Sequence, residues 1–291
     1  MPVKLFNYDE KYIESSRILY SYKWMTDHGA TVINNSWGEI DTDNKGNCID
    51  VVFDNYRNDA ISYAMVNGRN QLGTVVVWAA GNSSCNTDMN RNYDNPDIFL
   101  VGSVEFNGMM SSYSNWGDRI DSALPAASVT TDIPGEKGFN NTVLSKPEDL
   151  DYTAGFIGTS ASAAVASGIA GLIISANPLL SASQVIGCMK KAATIPDLSC
   201  SKGKSQRKFL KNDPNQKHSR CYGFGLIDAS KVVEMAVNGE CGPAYRGCKN
   251  SEECPDHFIC NIKLEKCTED PNNTLSRYTD IESSGCSVII L

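Results

Sequence analysis

Apolar positions along the chain alternate between two patterns. Nearly unbroken apolar runs at residues 31–36, 74–80 and 98–104 have the length and β-branched content of buried strands. Between them lie stretches of helical spacing. In residues 9–28 the positions are Tyr12, Ser16, Leu19, Tyr20, Lys23 and Trp24, with Asp9 as a starting cap and Gly29 as a terminating one. In residues 50–67 Phe53, Tyr56, Ala60 and Ala64 share one helical face, and Gly73 leads into the next strand. Residues 3–6 read as a further short strand. Strands alternating with helices predict a parallel sheet covered on both faces, an α/β fold. Further on, residues 111–120 and 123–127 are shorter elements, and residues 128–156, rich in Gly, Pro, Asn and Asp, read as a loop. The run 160–176 is almost wholly small or apolar, so its helix is expected to be buried on nearly all sides rather than amphipathic. Ser181 and Gln184 form a capping box for a helix over 182–193, and Asp228 caps a last helix that runs to Val237 and stops at Gly239.

With 291 residues the chain accommodates one large core and an appendage. Residues 1–238 are expected to form the main domain, 239–270 a cysteine-rich module and 271–291 a tail. A net charge of -8 and the lack of a sustained basic face exclude nucleic acid as a partner. Residues 199–220 are basic, and the simplest reading is a solvated loop pinned by Cys200 and Cys221. The 11 cysteines, five of them at Cys241, Cys248, Cys254, Cys260 and Cys267, point to an oxidising compartment, extracellular or at the cell surface. No signal peptide opens the chain, because Lys4, Asn7, Asp9 and Glu10 stand where an apolar core would be, which suggests that a front segment is missing. The final Cys286 to Leu291 is a frayed tail or the start of a membrane anchor; four apolar residues cannot span a bilayer, which takes about twenty.

Candidate chemistry centres on Gly158-Thr159-Ser160-Ala161-Ser162-Ala163-Ala164, where a small-residue turn puts Ser160 at the mouth of the long apolar helix. The first free N–H groups of that helix can stabilise a developing oxyanion, although a Ser or Thr there also serves as a plain cap. Three more stretches change the weighting: Val32-Ile33-Asn34-Asn35-Ser36-Trp37-Gly38, Val77-Trp78-Ala79-Ala80-Gly81-Asn82, and Tyr222-Gly223-Phe224-Gly225-Leu226-Ile227-Asp228-Ala229. In this order, over about residues 1–237, they resemble the subtilisin-like serine endopeptidases, closest to the kexin branch. The resemblance implies a subtilisin-like parallel sheet with helices on both faces, incomplete at the N-terminus. It implies Ser160 as nucleophile, and Asn82 as the side-chain donor of the oxyanion hole beside the Ser160 N–H. It also places Asp41, with Asp94 as a second acid, in the primary specificity pocket, favouring substrates with Arg or Lys at the cleaved position. A turn role for both acids is the simpler alternative. No cofactor is required for such chemistry, and two close carboxylates would attract a structural calcium ion.

The resemblance is incomplete in three respects. The family's Asp-x-Gly and His-Gly-Thr motifs, which supply the base and its orienting acid, are absent. Of the three histidines, His28 suits a helix C-terminus, His218 lies in the basic loop and His257 in the cysteine-rich module. Ala164 replaces the proline usual four residues after the serine, with no expected chemical consequence. After Val237 there is no room for the large β-rich domain of kexin-type enzymes. An endopeptidase whose Asp and His lie upstream of Met1, inactive as it stands, is one reading. A non-catalytic extracellular binding or adhesion protein that keeps the fold is another, and a nonfunctional remnant is a third.

Overall fold

Val32–Asn35 (β1), Val75–Ala79 (β2), Ile98–Val104 (β3) and Ser122–Pro125 (β4) lie side by side in parallel, in that order. The computed structural model describes residue 3, residues 15–38, 41–51, 54–135, 137–138, 150–196 and 218–242, and the backbone of 258–261, 266–269 and 288–290. Ser15–Asp27 (α1) precedes β1 and Asn55–Asn67 (α2) precedes β2, each ending at a glycine turn. Alternate side chains of each strand then enter different layers, as the period of two requires. Ile33, Val76, Trp78, Ile98 and Leu100 pack with Ile18, Tyr22 and Met25 of α1 and with Ala60, Ile61 and Ala64 of α2. Val32, Val75, Val77, Phe99 and Val101 face the other way, toward three helices: Thr159–Ala176 (α3), Ala182–Ala192 (α4) and Ala229–Val237 (α5).

The capping signals read from the sequence operate where they fall on described residues. Ser181 and Gln184 make the reciprocal capping box of α4, and the Asp228 carboxylate accepts from the Lys231 N–H at the start of α5. Gly29 takes φ 84°, the left-handed turn that ends α1. In α2 the buried face is Arg57, Ala60, Ile61 and Ala64 rather than one including Tyr56, which is exposed. The amphipathic assignment missed that the Arg57 guanidinium sits over the Trp37 and Trp78 rings, where cation–π attraction offsets its burial. The long helix α3 is mostly buried, although Leu172 is exposed.

Residues 128–156 are not one irregular loop: Ala127–Thr131 (β5) and Tyr152–Ile157 (β6) form an antiparallel ribbon leading into α3. Their β-branched and aromatic residues support strand pairing, while the Pro and, apart from Gly155 of β6, the Gly that suggested a loop lie between the two strands. Val3 is not in a strand, and residues 4–14, including the start of the first predicted helix, lie outside the described residues. The edge of β1 is paired in parallel with Val288–Ile290, an edge strand where a frayed tail was one of the expectations. In the cysteine-rich region, whose pairing the sequence left open, Cys241 bridges to Cys188 of α4, to which α5 returns the chain. A short Ala193–Thr194 (β7) and Leu226–Ile227 (β8) pair follows α4, and Phe258–Asn261 (β9) with Lys266–Glu269 (β10) make a hairpin, so the last edge strand is β11. Cys221 is disulfide-bonded, and Cys200 lies outside the described residues.

Candidate active site

The C-terminal ends of β1 and β2 and the N-terminus of α3 converge. Gly158 enters α3 with φ 96° and ψ 178°, a conformation open essentially to glycine alone. That turn places Thr159 and Ser160 over the ends of the two strands. The Asn82 side chain, two residues beyond Ala80, clamps it: Asn82 Oδ1 accepts from the Thr159 N–H and the Thr159 hydroxyl, both at 2.9 Å. Thr159 Oγ1 in turn accepts from the Gly81 N–H at 3.1 Å. With Oδ1 committed to Thr159, the Nδ2 donor of Asn82 remains beside Gly158, 3.1 Å from where a side chain there would begin. Asn82 and Ser160 are therefore held against the same turn, one as an amide donor and one at a helix mouth.

Ser160 is half-buried, and its hydroxyl donates to the Ser36 carbonyl at 3.1 Å, while the Ser36 hydroxyl donates to the Ser160 carbonyl at 3.0 Å. Ser36 Oγ also accepts from Asn34 Nδ2, and Asn34 Oδ1 accepts from Ser167 one helical stretch further along α3. The end of β1 is thus bolted to α3 through a buried polar chain. Its signal in the sequence is faint, because Asn34 and Ser167 look like ordinary core-edge polar residues. Neither described histidine joins this network. His28 stacks on Trp24 just before β1 begins, at the opposite end of the strand from Ser36, and His218 bonds the Ile120 carbonyl ahead of β4. His257 lies outside the described residues.

Asp41 lies beside the Gly81-Asn82 turn, 3.3 Å from where a Gly81 side chain would begin. Its Oδ2 accepts from Asn115 Nδ2 at 2.5 Å, and a disulfide between Cys48 and Cys85 ties its loop to the segment after Asn82. Asp94 is placed with other partners: it is exposed and faces Arg119 at 3.8 Å. Sequence reading did not single out Asn115, Thr159 or Ser36 as part of this arrangement. Thr159 was within reach, since it precedes Ser160 in the same turn, but Asn115 is 74 residues from Asp41 and carries no local signal.

Comparison with known proteins identifies the family and the fold. The model of the Subtilase family, peptidase S8, matches residues 1–225. A calcium-dependent protease of Trichormus variabilis is 30% identical over 279 residues, covering 90% of this chain and 40% of that protein. Proprotein convertase subtilisin/kexin type 5 of Branchiostoma californiense is 31% identical over 206 residues, covering 66% of this chain and 12% of its own length. The chain therefore spans well under half the length of these relatives. Among solved structures, a lanthipeptide protease superposes with a TM-score of 0.57 at 24% identity, covering 80% of this chain and 68% of that one. The first relative is named for calcium; among the described residues no group of three or more His, Cys, Asp or Glu could hold a metal ion. Asp41 Oδ2 already has an amide donor, and Asp88 and Asp118 are paired with Arg220.

Proposed function

Since the chain belongs to the subtilase family of serine endopeptidases, whose substrates are polypeptides, we propose that Ser160 is the nucleophile of a peptide-bond hydrolase and that Asn82 stabilises the oxyanion. The carrying observation is the Asn82–Thr159 clamp, which leaves an amide donor beside the turn that presents Ser160. In the reaction Ser160 Oγ attacks the scissile carbonyl carbon and its proton passes to a base. The oxyanion is met by Asn82 Nδ2 and the Ser160 N–H, and collapse expels the amine with that proton. Water then hydrolyses the acyl-enzyme. No described side chain is positioned as that base, so the residues described act as a partial catalytic domain. Asp41 serves as the acid that prefers a cationic substrate side chain. The two described disulfides suit an extracellular or cell-surface setting.

Chemical rescue tests this reading. Imidazole added in solution supplies a base, and a fluorophosphonate probe then labels the protein in proportion to imidazole, with the label lost in Ser160→Ala. Absence of labelling at any imidazole concentration, or labelling that survives Ser160→Ala, removes the assignment. The second reading is a non-catalytic binding protein with a subtilase fold. It is favoured by the bonding of the Ser160 hydroxyl to a carbonyl, which cannot accept its proton, and it requires the negative result.

A further inference from the structure

Asn115 is 2% exposed and uses every hydrogen-bonding position of its side chain. Nδ2 donates to Asp41 Oδ2 at 2.5 Å and to the Ala80 carbonyl at 2.8 Å. Oδ1 accepts from the Ser83 N–H at 3.1 Å and the Cys85 N–H at 2.8 Å. Its backbone N–H donates to the Gly81 carbonyl at 2.9 Å. One residue thus grips both sides of Asn82 and, through the same amide, the Asp41 carboxylate. The fit is close: a side chain on Gly81 would begin 2.5 Å from Asn115 Nδ2, and Gly81 adopts φ 99°.

We propose that Asn115 is a positioning residue that does here what a bound cation would otherwise do, joining Asp41 to the Gly81-Asn82 turn so that this wall of the site is held without metal. The chemistry requires an amide. A carboxylate at 115 keeps the acceptor for Ser83 and Cys85 but loses the donor, and it sets two like charges within hydrogen-bond range, an arrangement that a calcium ion would relieve. A hydrocarbon of the same shape leaves the Ser83 and Cys85 N–H groups buried without partners. The consequence for catalysis rests on the reading of Asn82 as oxyanion donor; the clamp itself does not.

The full chain tests it through hydrogen exchange at the Ser83 and Cys85 amides and through thermal midpoints, each with calcium and with EDTA. In the wild type, both amides are protected equally in the two conditions. In Asn115→Asp, protection in EDTA drops by about tenfold or more, calcium restores it, and a calcium-dependent rise in midpoint appears. The reversed pair Asp41→Asn with Asn115→Asp rebuilds the amide–carboxylate bond in the opposite sense and recovers protection without calcium, which covers the case in which the single variant does not fold. Wild-type protection that collapses in EDTA overturns the proposal. So does an Asn115→Asp protein indifferent to calcium, or a reversed pair no better protected than the single variant. These readouts stand whether or not Ser160 is ever labelled, so a failed clamp and a failed peptidase assignment are told apart.

Discussion

Ser160 and Ser36 hold each other reciprocally, each hydroxyl donating to the other's carbonyl, at 3.1 Å and 3.0 Å. A carbonyl oxygen orients the Ser160 hydroxyl but cannot remove its proton, and among the described residues no base is bonded to that hydroxyl. Without added base, fluorophosphonate labelling is therefore expected to be negligible, because a triad lacking a member retains only the residual catalysis of its oxyanion hole and binding, about 10³- to 10⁴-fold over water. Mass spectrometry of the treated protein checks this. Rapid labelling at Ser160 with no imidazole present would mean that a side chain of this chain supplies the base after all.

Asn82 clamps Thr159 and is proposed to donate to the oxyanion, and two substitutions distinguish these tasks. Asn82→Ala removes the acceptor of the buried Thr159 N–H and hydroxyl, with an expected loss of about 1–3 kcal/mol in denaturant unfolding. Asn82→Asp keeps that acceptor and much of the stability but has no amide to offer an oxyanion. Imidazole-supported labelling of Asn82→Asp is expected to fall about 10²- to 10³-fold. Equal labelling of wild type and Asn82→Asp would confine Asn82 to a structural role.

Much of this site was legible in the sequence because its chemistry is local to short motifs. The turn at Gly158 to Ser160 and the glycine before Asn82 are adjacent in the chain to the residues they position, and the parallel sheet followed from three apolar runs. What was not legible depends on contacts distant in sequence. Asn115 meets Asp41 across 74 residues, and Cys188 meets Cys241 across 53; no periodicity marks either pair. The β5–β6 ribbon was hidden by the Gly and Pro between its strands, which outweighed the strand-forming residues at its flanks. Arg57 carried no signal either, because its burial depends on two tryptophan rings brought against it from other strands and turns.

The turn itself tolerates little change. Gly158 at φ 96° lies where an L-residue is strained, and a new side chain would begin 3.1 Å from Asn82 Nδ2. Gly158→Ala is expected to cost about 1–3 kcal/mol from backbone strain alone, read as a lowered unfolding midpoint, and to displace Asn82. Unchanged stability would show that the turn relaxes without help from glycine.

The loop that carries Asp41 has its own pH signature. The Asp43 carboxyl is held below the usual carboxylate range, first by the Asn47 side chain and then by the Asn47, Lys45 and Gly46 backbone N–H groups. A depressed folded-state pKa means that this turn's stabilisation is present above the unfolded value and lost as pH falls through the folded one. An NMR titration of the Asp43 carboxyl is expected to move back up toward the ordinary range in Asn47→Ala. No movement would assign the depression to the backbone donors alone.

The proposed preference for a cationic side chain depends on how Asp41 divides its carboxylate. Among the described residues only Asn115 bonds it, at Oδ2, leaving Oδ1 for an incoming cation, while the Cys48–Cys85 disulfide keeps the loop against the Asn82 segment. A single charge-assisted hydrogen bond contributes about 1.5–3 kcal/mol, roughly ten- to a hundredfold in rate when realised in the reacting complex. Peptidyl phosphonates bearing Arg or Lys at the position flanking the reactive phosphorus are therefore expected to label Ser160 faster than their Leu counterparts by that factor, with imidazole present. Asp94, paired with Arg119, contributes little, so Asp94→Asn is expected to leave the preference intact and Asp41→Asn to erase it. A Leu preference unaltered in Asp41→Asn would place the cation-selecting role elsewhere and leave Asp41 as the anchor of the Asn115 clamp.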